Sequence, residues 1–210
     1  VPITKDKAEL QIKLADGTLI EGEDSIDHAN LQKSLVSRIF YKNEVKINEH
    51  ARVAILKADY IILGPGDYYT SIISSLIITG AQETLRKAKA KIILPINLTN
   101  KPGHTLKWNA SDYVKIIENC IGRKVDHILL NSIAPSKKQL NSYMELYKLE
   151  AKELLIEDDL GKDPRVFRKP LLSHAAVVKV KGDRIANTRS FIRHDSKKLA
   201  KAIEQIIKKK

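Results

Sequence analysis

The chain has 210 residues, of which 43% are hydrophobic and 30% are charged. This length allows one large domain or a domain with an appendage, and no stretch comes near the roughly 18 apolar residues of a membrane-spanning helix. The single Cys120 excludes an internal disulfide, and the start at Val1 shows no charged segment followed by an apolar one. We therefore expect a cytoplasmic protein that is not embedded in a membrane.

The net charge of +12 raises the question of a nucleic-acid partner. Lysines far outnumber arginines and only 5% of residues are aromatic, so the guanidinium forks and stacking surfaces that bind bases are scarce. The lysines between residues 197 and 210 lie at the end of a predicted helix, where they complement its dipole. We expect no nucleic-acid partner, and a basic nucleic-acid-binding module remains a third hypothesis that rests on charge alone.

The first elements predicted are extended. Residues 10–14 alternate between apolar and polar, as in a strand, and Asp16-Gly17 is a dipeptide favoured in tight turns. Residues 18–21 are expected to form the second, antiparallel strand, so the segment predicts a β-hairpin. Residues 35–47 are expected to be extended. Asn48 can cap a helix that runs to about residue 58.

From residue 60 the pattern alternates between strand and helix. Residues 60–63, 92–96 and 127–130 are short apolar runs, of which the first is typical of a strand buried on both faces. Helices are predicted from about 70 to 88, interrupted near Gly80, and over 111–121 and 138–150. Three such alternations predict a parallel sheet with right-handed crossovers.

The last part of the chain is less regular. Residues 157–170 are polar and rich in turn formers, residues 175–180 predict a strand, and Lys181-Gly182-Asp183 predicts a turn. A final helix begins at a cap formed by Asp195 or Ser196. No domain boundary is evident.

Ligands of open α/β sheets bind at the carboxyl ends of the strands, where two loops are expected. Gly64-Pro65-Gly66 lets the backbone approach a ligand, and the helix that follows offers N–H groups and the Thr70 and Ser71 hydroxyls to an anion. The alternative is an ordinary tight turn, because the spacing of the glycines matches neither of the common phosphate-binding fingerprints.

The segment over residues 58–73, ADYIILGPGDYYTSII, resembles the signature of the CofD-like superfamily. That superfamily holds the 2-phospho-L-lactate transferases and the bacterial gluconeogenesis factors of the YvcK type. Further stretches resemble it in the same order: residues 16–26, 97–105, 110–112, 126–132 and 192–195. The resemblance covers nearly the whole chain and implies a Rossmann-like α/β fold, with flanking helices and a small N-terminal β-hairpin element.

The gluconeogenesis-factor branch is the closer match, on Tyr68-Tyr69 and Arg193-His194-Asp195. It implies a non-catalytic regulator of carbon metabolism and cell-wall synthesis, and so of cell shape, that binds a UDP-sugar or a related nucleotide. The alternative to a ligand contact for Tyr147 is an aromatic side chain on a helix surface. The alternative for Arg193 is a salt-bridged residue at the start of a helix. The ligand-binding residues that the resemblance implies are Gly64, Pro65, Gly66, Asp67, Tyr69, Thr70, Ser71, Asn97, Thr99, Tyr147 and Arg193.

The chain also departs from the family pattern. It has no glycine-rich GGGTG-like loop, so residues 1–210 are expected to form a single domain that lacks its first strand-loop-helix units. The sheet edge left by that loss is expected to promote self-association into a homo-oligomer. Within the motifs, the family's Glu and His are replaced by His104 and Tyr113, and its Pro-Asn by Ser74-Ser75.

The rival hypothesis is a transferase that moves a phospholactyl group from a guanylylated donor to a deazaflavin alcohol, with Mg²⁺ as its metal. Residues 157–159 are acidic and could hold Mg²⁺, but a solvated acidic loop is the preferred interpretation. The six histidines show no spacing typical of a zinc site, and Cys120 is expected to be packed in the core. The sequence therefore assigns neither a catalytic residue nor a metal ligand.

Overall fold

A computed structural model gives the fold, and it describes residues 1–31, 34–173 and 192–209. The strand predicted at residues 175–180 and the turn at residues 181–183 lie outside the described residues. The described part contains a three-stranded antiparallel sheet and a four-stranded parallel sheet. It contains no helix long and apolar enough to cross a bilayer.

The antiparallel sheet comes first in the chain. Its strands are β1 (Leu10–Leu14), β2 (Leu19–Glu21) and β3 (Val36–Tyr41), in the order β2-β1-β3. The predicted hairpin is confirmed, and Thr18 N–H donates to Asp16 Oδ1 at 2.9 Å in its turn. Helix α1 (Glu23–His28) covers the sheet. The extended piece predicted to residue 47 ends instead at Tyr41, and only Lys46 bridges further, to Thr79.

The parallel sheet confirms the predicted α/β class. Its strands are β4 (Tyr60–Ile62), β5 (Lys91–Pro95), β6 (His127–Asn131) and β7 (Val166–Lys169), in the order β4-β5-β6-β7. The isoleucine and leucine side chains of the central strands β5 and β6 are buried. The expectation that residues 60–63 are buried on both faces is wrong, because β4 pairs only with β5 among the described strands and Ile62 is 45% exposed.

Strand β7 lies in the segment predicted to be a polar loop. Its sequence VFRK has only two apolar residues, so local pattern gave no strand signal. The strand forms because residues 166–169 pair in parallel with residues 128–131 of β6. Tertiary pairing therefore makes a strand of this short segment, which the sequence predicted to be a loop.

Helices flank this sheet as predicted. Helix α2 (Glu49–Lys57) begins at the Asn48 cap, and a π-helix (Tyr68–Ile73) continues into α3 (Ser74–Leu76), followed by α4 (Ala81–Lys87). Next come α5 (Ala110–Ile121), α6 (Lys137–Tyr147) and α7 (Ala151–Leu154). The helix predicted to residue 150 ends at Tyr147, because Lys148 adopts a left-handed conformation with φ of 54°.

The last helix, α8 (Ser196–Lys208), begins at Asp195, whose carboxylate accepts from the N–H groups of Lys197 and Lys198. Ala202 and Ile206 pack against Ile93 and Leu129 of the parallel sheet. The hydrogen bonds to the Asp195 carboxylate confirm the cap predicted at this position. The packing of α8 also fixes the segment before it near the carboxyl ends of the strands.

Candidate functional site

A cleft of about 250 Å³ opens at the carboxyl ends of β4 and β5. It forms where the loop after each strand meets the segment that leads into α8, so three distant parts of the chain contribute to it. The lining residues are Pro65, Gly66, Asn97, Leu98, Thr99, Ile192, Arg193 and His194. Five of the predicted ligand residues, Pro65, Gly66, Asn97, Thr99 and Arg193, are thus brought together.

The glycine loop after β4 turns tightly into the π-helix. Gly64 has φ of 92°, and a Cβ there would lie 3.0 Å from Ile72 Cδ1, so both conformation and packing favour glycine. The Gly64–Pro65 peptide bond is cis. Asn97 Nδ2 donates to Gly66 O at 3.0 Å, which joins the loops that follow β4 and β5. Ser71 stands next to Gly66 and is exposed.

Asp67 occupies the start of the π-helix. Its Oδ1 accepts from Thr70 N–H at 3.1 Å, and the Thr70 hydroxyl lies 2.8 Å from the same oxygen. Lys101 Nζ lies 2.7 Å from Asp67 Oδ2 and 2.7 Å from Asp27 Oδ1. Burial raises the pKa of the Asp67 carboxyl, but Lys101 and the hydrogen bonds from Thr70 together outweigh it, and the pKa lies below its usual value. The Asp67 carboxylate thus lies at the start of the helix after the glycine loop, where the sequence predicted an anionic ligand.

Thr70 faces away from the cleft. It is buried, its hydroxyl is also 3.1 Å from Asp27 Oδ1, and it lines a separate cavity under the antiparallel sheet with Glu23 and Ser74. Among the predicted ligand residues, Asp67 and Thr70 therefore brace the glycine loop.

Both tyrosines among the predicted ligand residues, Tyr69 and Tyr147, lie behind the cleft. Tyr147 packs against Tyr143 with ring centroids 5.0 Å apart, and Tyr143 reaches Thr99 through hydroxyls 3.3 Å apart. Tyr69 is half-buried among aromatic rings, 5.8 Å from the ring of His104. Burial raises the pKa of both Tyr69 and Tyr147 to about 12. Neither side chain lines the cleft.

Arg193 and His194 form the wall opposite the glycine loop. The Arg193 side chain is exposed and makes no ion pair with any described residue. The described residues therefore do not show the salt bridge that the alternative interpretation of Arg193 expects. The predicted ligand residues did not include three residues that line the cleft, Leu98, Ile192 and His194. Of these His194 has the polar side chain, and it stands in the quoted Arg193-His194-Asp195 segment. Its Nε2 is buried, and burial lowers the pKa of its ring to about 4.

The acidic segment at residues 157–159 is engaged in local contacts. Asp158 Oδ1 accepts from Arg168 Nη2 at 2.9 Å, and Asp159 Oδ1 accepts from Ser111 N–H at 2.9 Å. Within the described ranges, no three His, Cys, Asp or Glu side chains are grouped to hold a metal ion. Cys120 is half-buried against the core, and burial raises the pKa of its thiol.

A larger groove of about 530 Å³ runs along α5, away from the strand ends. Most of its charged residues are paired: Glu118 lies 2.6 Å from Arg165 and 2.7 Å from Lys124. Arg123 in turn pairs with Asp126 at 3.0 Å. These pairs stabilise the protein and leave the cleft as the better candidate site.

The fold is that of a Rossmann-like α/β protein, and its candidate site is the cleft at the strand ends. Residues 1–170 match the family model described as "2-phospho-L-lactate transferase CofD". The match covers well over half of the chain, so the chain belongs to the CofD family.

Within this family, the chain is similar to gluconeogenesis factors. A provisionally named gluconeogenesis factor of Clostridium acetobutylicum is 34% identical over all of this chain and 44% of the relative. One from Thermotoga maritima is 32% identical over 98% of this chain and 61% of the relative. The chain thus spans about half the length of the curated relatives it matches.

Solved structures agree with the fold. Two crystal structures of a Bacillus halodurans protein superpose with TM-scores of 0.77 and 0.76, at 26% and 23% identity. Each covers 97% of this chain and 61% of the other. One of them is described as a member of the UPF0052 family. The resemblance to the CofD-like superfamily stated from the sequence is confirmed.

Proposed function

We propose that the chain binds a nucleotide sugar, such as a UDP-sugar, in the cleft, as part of a regulator of carbon metabolism and cell-wall synthesis. The observation that carries the proposal is Arg193, a cation that lines the cleft and has no ion pair with a described residue. A guanidinium fork matches the oxygens of a diphosphate in geometry and charge. The gluconeogenesis-factor relatives support the regulatory role.

The opposite wall suits a phosphate as well. Gly66 carries no side chain, so a ligand can approach the backbone of the loop closely. The Ser71 hydroxyl lies beside it, and Asn97 and Thr99 provide polar atoms at the end of β5. The hydrogen bond from Asn97 to Gly66 O holds both loops in register for the ligand.

The size of the cleft limits what it holds. At about 250 Å³ it is smaller than the roughly 300–1,000 Å³ of typical small-molecule pockets. It therefore takes the diphosphate and one adjoining group, and the rest of the nucleotide sugar extends beyond the lining residues. In this arrangement Asp67, Thr70 and Lys101 shape the loop, and Tyr147 supports Thr99 through Tyr143.

Calorimetry with UDP-glucose, UDP-N-acetylglucosamine and UDP tests the proposal. Arg193→Ala is expected to weaken binding about 10-fold or more, in line with the roughly 1.5–3 kcal/mol of hydrogen bonds to charged groups. Lys197→Ala is the matched control, because Lys197 is exposed in the first turn of α8 and does not line the cleft. Failure of the unaltered chain to bind any of the three ligands, or equal binding by Arg193→Ala, would overturn the proposal.

A further inference from the structure

The side-chain amide of Asn97 has a fixed orientation in the cleft. Its Nδ2 donates to Gly66 O at 3.0 Å. A carbonyl oxygen can only accept a hydrogen bond, so the nitrogen of the amide, and not its oxygen, must face Gly66. This one hydrogen bond therefore also decides where Oδ1 lies, on the other branch of the planar amide.

Oδ1 of Asn97 is an accessible acceptor. No described residue donates to it, and it is not among the polar side-chain atoms that are buried without a partner. Asn97 is half-buried and lines the cleft, so the cleft is the opening through which Oδ1 is reached. The atom carries no hydrogen and can only accept.

The backbone on both sides of Asn97 is held in place. Ile96 is buried, and its N–H donates to Leu129 O of β6 at 2.9 Å. Two residues beyond Asn97, Thr99 forms an antiparallel bridge with Leu155. The acceptor is thus preorganised by backbone pairing and by the hydrogen bond of its own amide, as a residue that discriminates between ligands requires.

The cleft offers different surroundings to two kinds of ligand group. Arg193 lines it without an ion pair to a described residue, and its guanidinium attracts phosphate oxygens. A phosphate oxygen at Asn97 Oδ1 would set two acceptors against each other, with no hydrogen between them. A hydroxyl or N–H group supplies the hydrogen that Oδ1 needs.

We infer that Oδ1 of Asn97 accepts a hydrogen bond from a hydroxyl or N–H group that adjoins the anionic part of the ligand, and so determines which anions the cleft binds tightly. This inference rests on the proposed function and deepens it. Inorganic phosphate or pyrophosphate would use the Arg193 side and leave Oδ1 without a donor. The ligand class is a phosphate ester or diphosphate with a neighbouring hydroxyl or amide, to which the sugar nucleotides belong.

Asn97→Leu and Asn97→Asp form a matched pair of variants. Both remove the donor to Gly66 O, so both lose the hydrogen bond that joins the two loops. Only Asn97→Asp keeps an oxygen acceptor at the position of Oδ1. The difference between the two variants therefore reports the acceptor, and not the contact between the loops.

Calorimetry at pH 7 measures the affinity for UDP-glucose relative to that for inorganic pyrophosphate, which has no neutral donor. In Asn97→Leu this ratio is expected to fall about 10-fold or more, which corresponds to about 1.4 kcal/mol. In Asn97→Asp the ratio is expected to stay within about 3-fold or to rise, because the added negative charge repels the more highly charged pyrophosphate more strongly. UDP is the third probe, and a loss of its affinity in Asn97→Leu would place the donor on the uridine.

The two variants together decide the outcome. A fall of the ratio in Asn97→Leu without a fall in Asn97→Asp supports the inference. An equal fall in both variants, or an unchanged ratio in Asn97→Leu, overturns it. If the unaltered chain bound neither UDP-glucose nor UDP, the proposed function would fail together with the inference, whereas binding by the unaltered chain with an unchanged ratio in Asn97→Leu overturns the inference alone.

A spectroscopic measurement on the unaltered chain does not depend on the folding of the variants. Saturation with UDP-glucose is expected to shift the ¹³C resonance of the Asn97 side-chain carbonyl, and pyrophosphate is expected to shift it less. An unmoved resonance at saturating UDP-glucose, or an equal shift with pyrophosphate, contradicts the inference.

Discussion

At the scale of single residues, Asp67 shows how the glycine loop is held. Its carboxylate caps the π-helix through Thr70 and pairs with Lys101, which also reaches Asp27 of α1. The loops after β4 and β5 and the antiparallel sheet unit are thus joined at one point. Because Asp67 is only 19% exposed, this pair is less screened by water than the surface pairs of the chain.

The first residue-scale prediction concerns Lys101→Met. The pKa of Asp67 is depressed in the folded state, so the stability it contributes is present above its unfolded pKa and is lost as pH falls through the folded pKa. The unaltered chain should therefore lose more free energy of unfolding below about pH 4 than Lys101→Met, which is expected to be about 1–3 kcal/mol less stable at pH 7.

Urea unfolding at several pH values measures this difference. Lys87→Met is the control, because Lys87 pairs with Glu83 on the exposed face of α4 and should contribute only about 0.5 kcal/mol. Parallel pH profiles for Lys101→Met and the unaltered chain would show that the pair does not shift the pKa of Asp67.

The second residue-scale prediction separates backbone strain from packing in the glycine loop. Gly64 and Gly17 have nearly the same φ, 92° and 89°, but a Cβ at Gly17 meets nothing within 4 Å. Gly17→Ala is expected to cost about 1 kcal/mol from conformation alone. Gly64→Ala adds the contact with Ile72, and its total loss in unfolding free energy should reach about 2–4 kcal/mol. Equal losses in thermal unfolding would show that Ile72 yields without cost.

At the scale of elements, the turn after β4 is wider than an ordinary helix start. The N–H groups of Ser71 and Ile72 both donate to Asp67 O, at 3.1 and 3.0 Å. The bond from Ile72 spans five residues, which is the π-helical pattern often found at functional sites. This geometry buries Tyr68 and Thr70 and leaves Ser71 next to Gly66. A sequence pattern distinguishes helix from strand but not this widened turn.

Among the described strands, β4 is an edge of the parallel sheet, and this leads to a prediction about association. Ile62 of β4 is 45% exposed, and the neighbouring α8 places Ile207, 36% exposed, near β4 through a hydrogen bond between Tyr60 Oη and Ile207 O. Unpaired strand edges with apolar side chains promote pairing with another chain. Sedimentation velocity of the purified chain is therefore expected to show a concentration-dependent oligomer that Ile62→Lys weakens.

Leu19→Lys is the matched control for this experiment. Leu19 is equally exposed, at 48%, and lies on β2, an edge of the antiparallel sheet. If Leu19→Lys dissociated the oligomer and Ile62→Lys did not, the contact would lie on the antiparallel sheet. A monomer at all concentrations would contradict the expected homo-oligomer.

At the scale of the whole molecule, the transferase hypothesis makes a demand that the described residues do not meet. Transfer of a phosphorus-containing group needs several cations, usually including a metal ion, to neutralise the charge that develops on the reacting phosphate and its leaving group. Among the described lining residues Arg193 is the one cation, and Lys101 is committed to two carboxylates. We therefore predict no multiple turnover by residues 1–210 with a deazaflavin alcohol, a guanylylated phospholactate and Mg²⁺. The control reaction uses Arg193→Ala in place of the unaltered chain. If the unaltered chain formed product continuously and faster than this control, the transferase hypothesis would be the better one.

The sequence by itself determined the features that depend on a few neighbouring residues. The Asp16-Gly17 turn, the caps at Asn48 and Asp195, and the apolar runs of β5 and β6 were all predicted, because each acts through local backbone geometry or periodic burial. The family was predicted from several motifs that follow one another along this chain in the family's order, and the family model matches residues 1–170.

Only the tertiary structure decided which of the candidate residues meet. Pairing with β6 made a strand of β7, and the order of the described strands left β4 at an edge of the sheet. Packing of α8 on the sheet brought His194 to the cleft that Gly66 lines, while the end of α6 placed Tyr147 behind it. Contacts between residues far apart in the chain depend on strand order and helix packing, and local propensity carries no information about either.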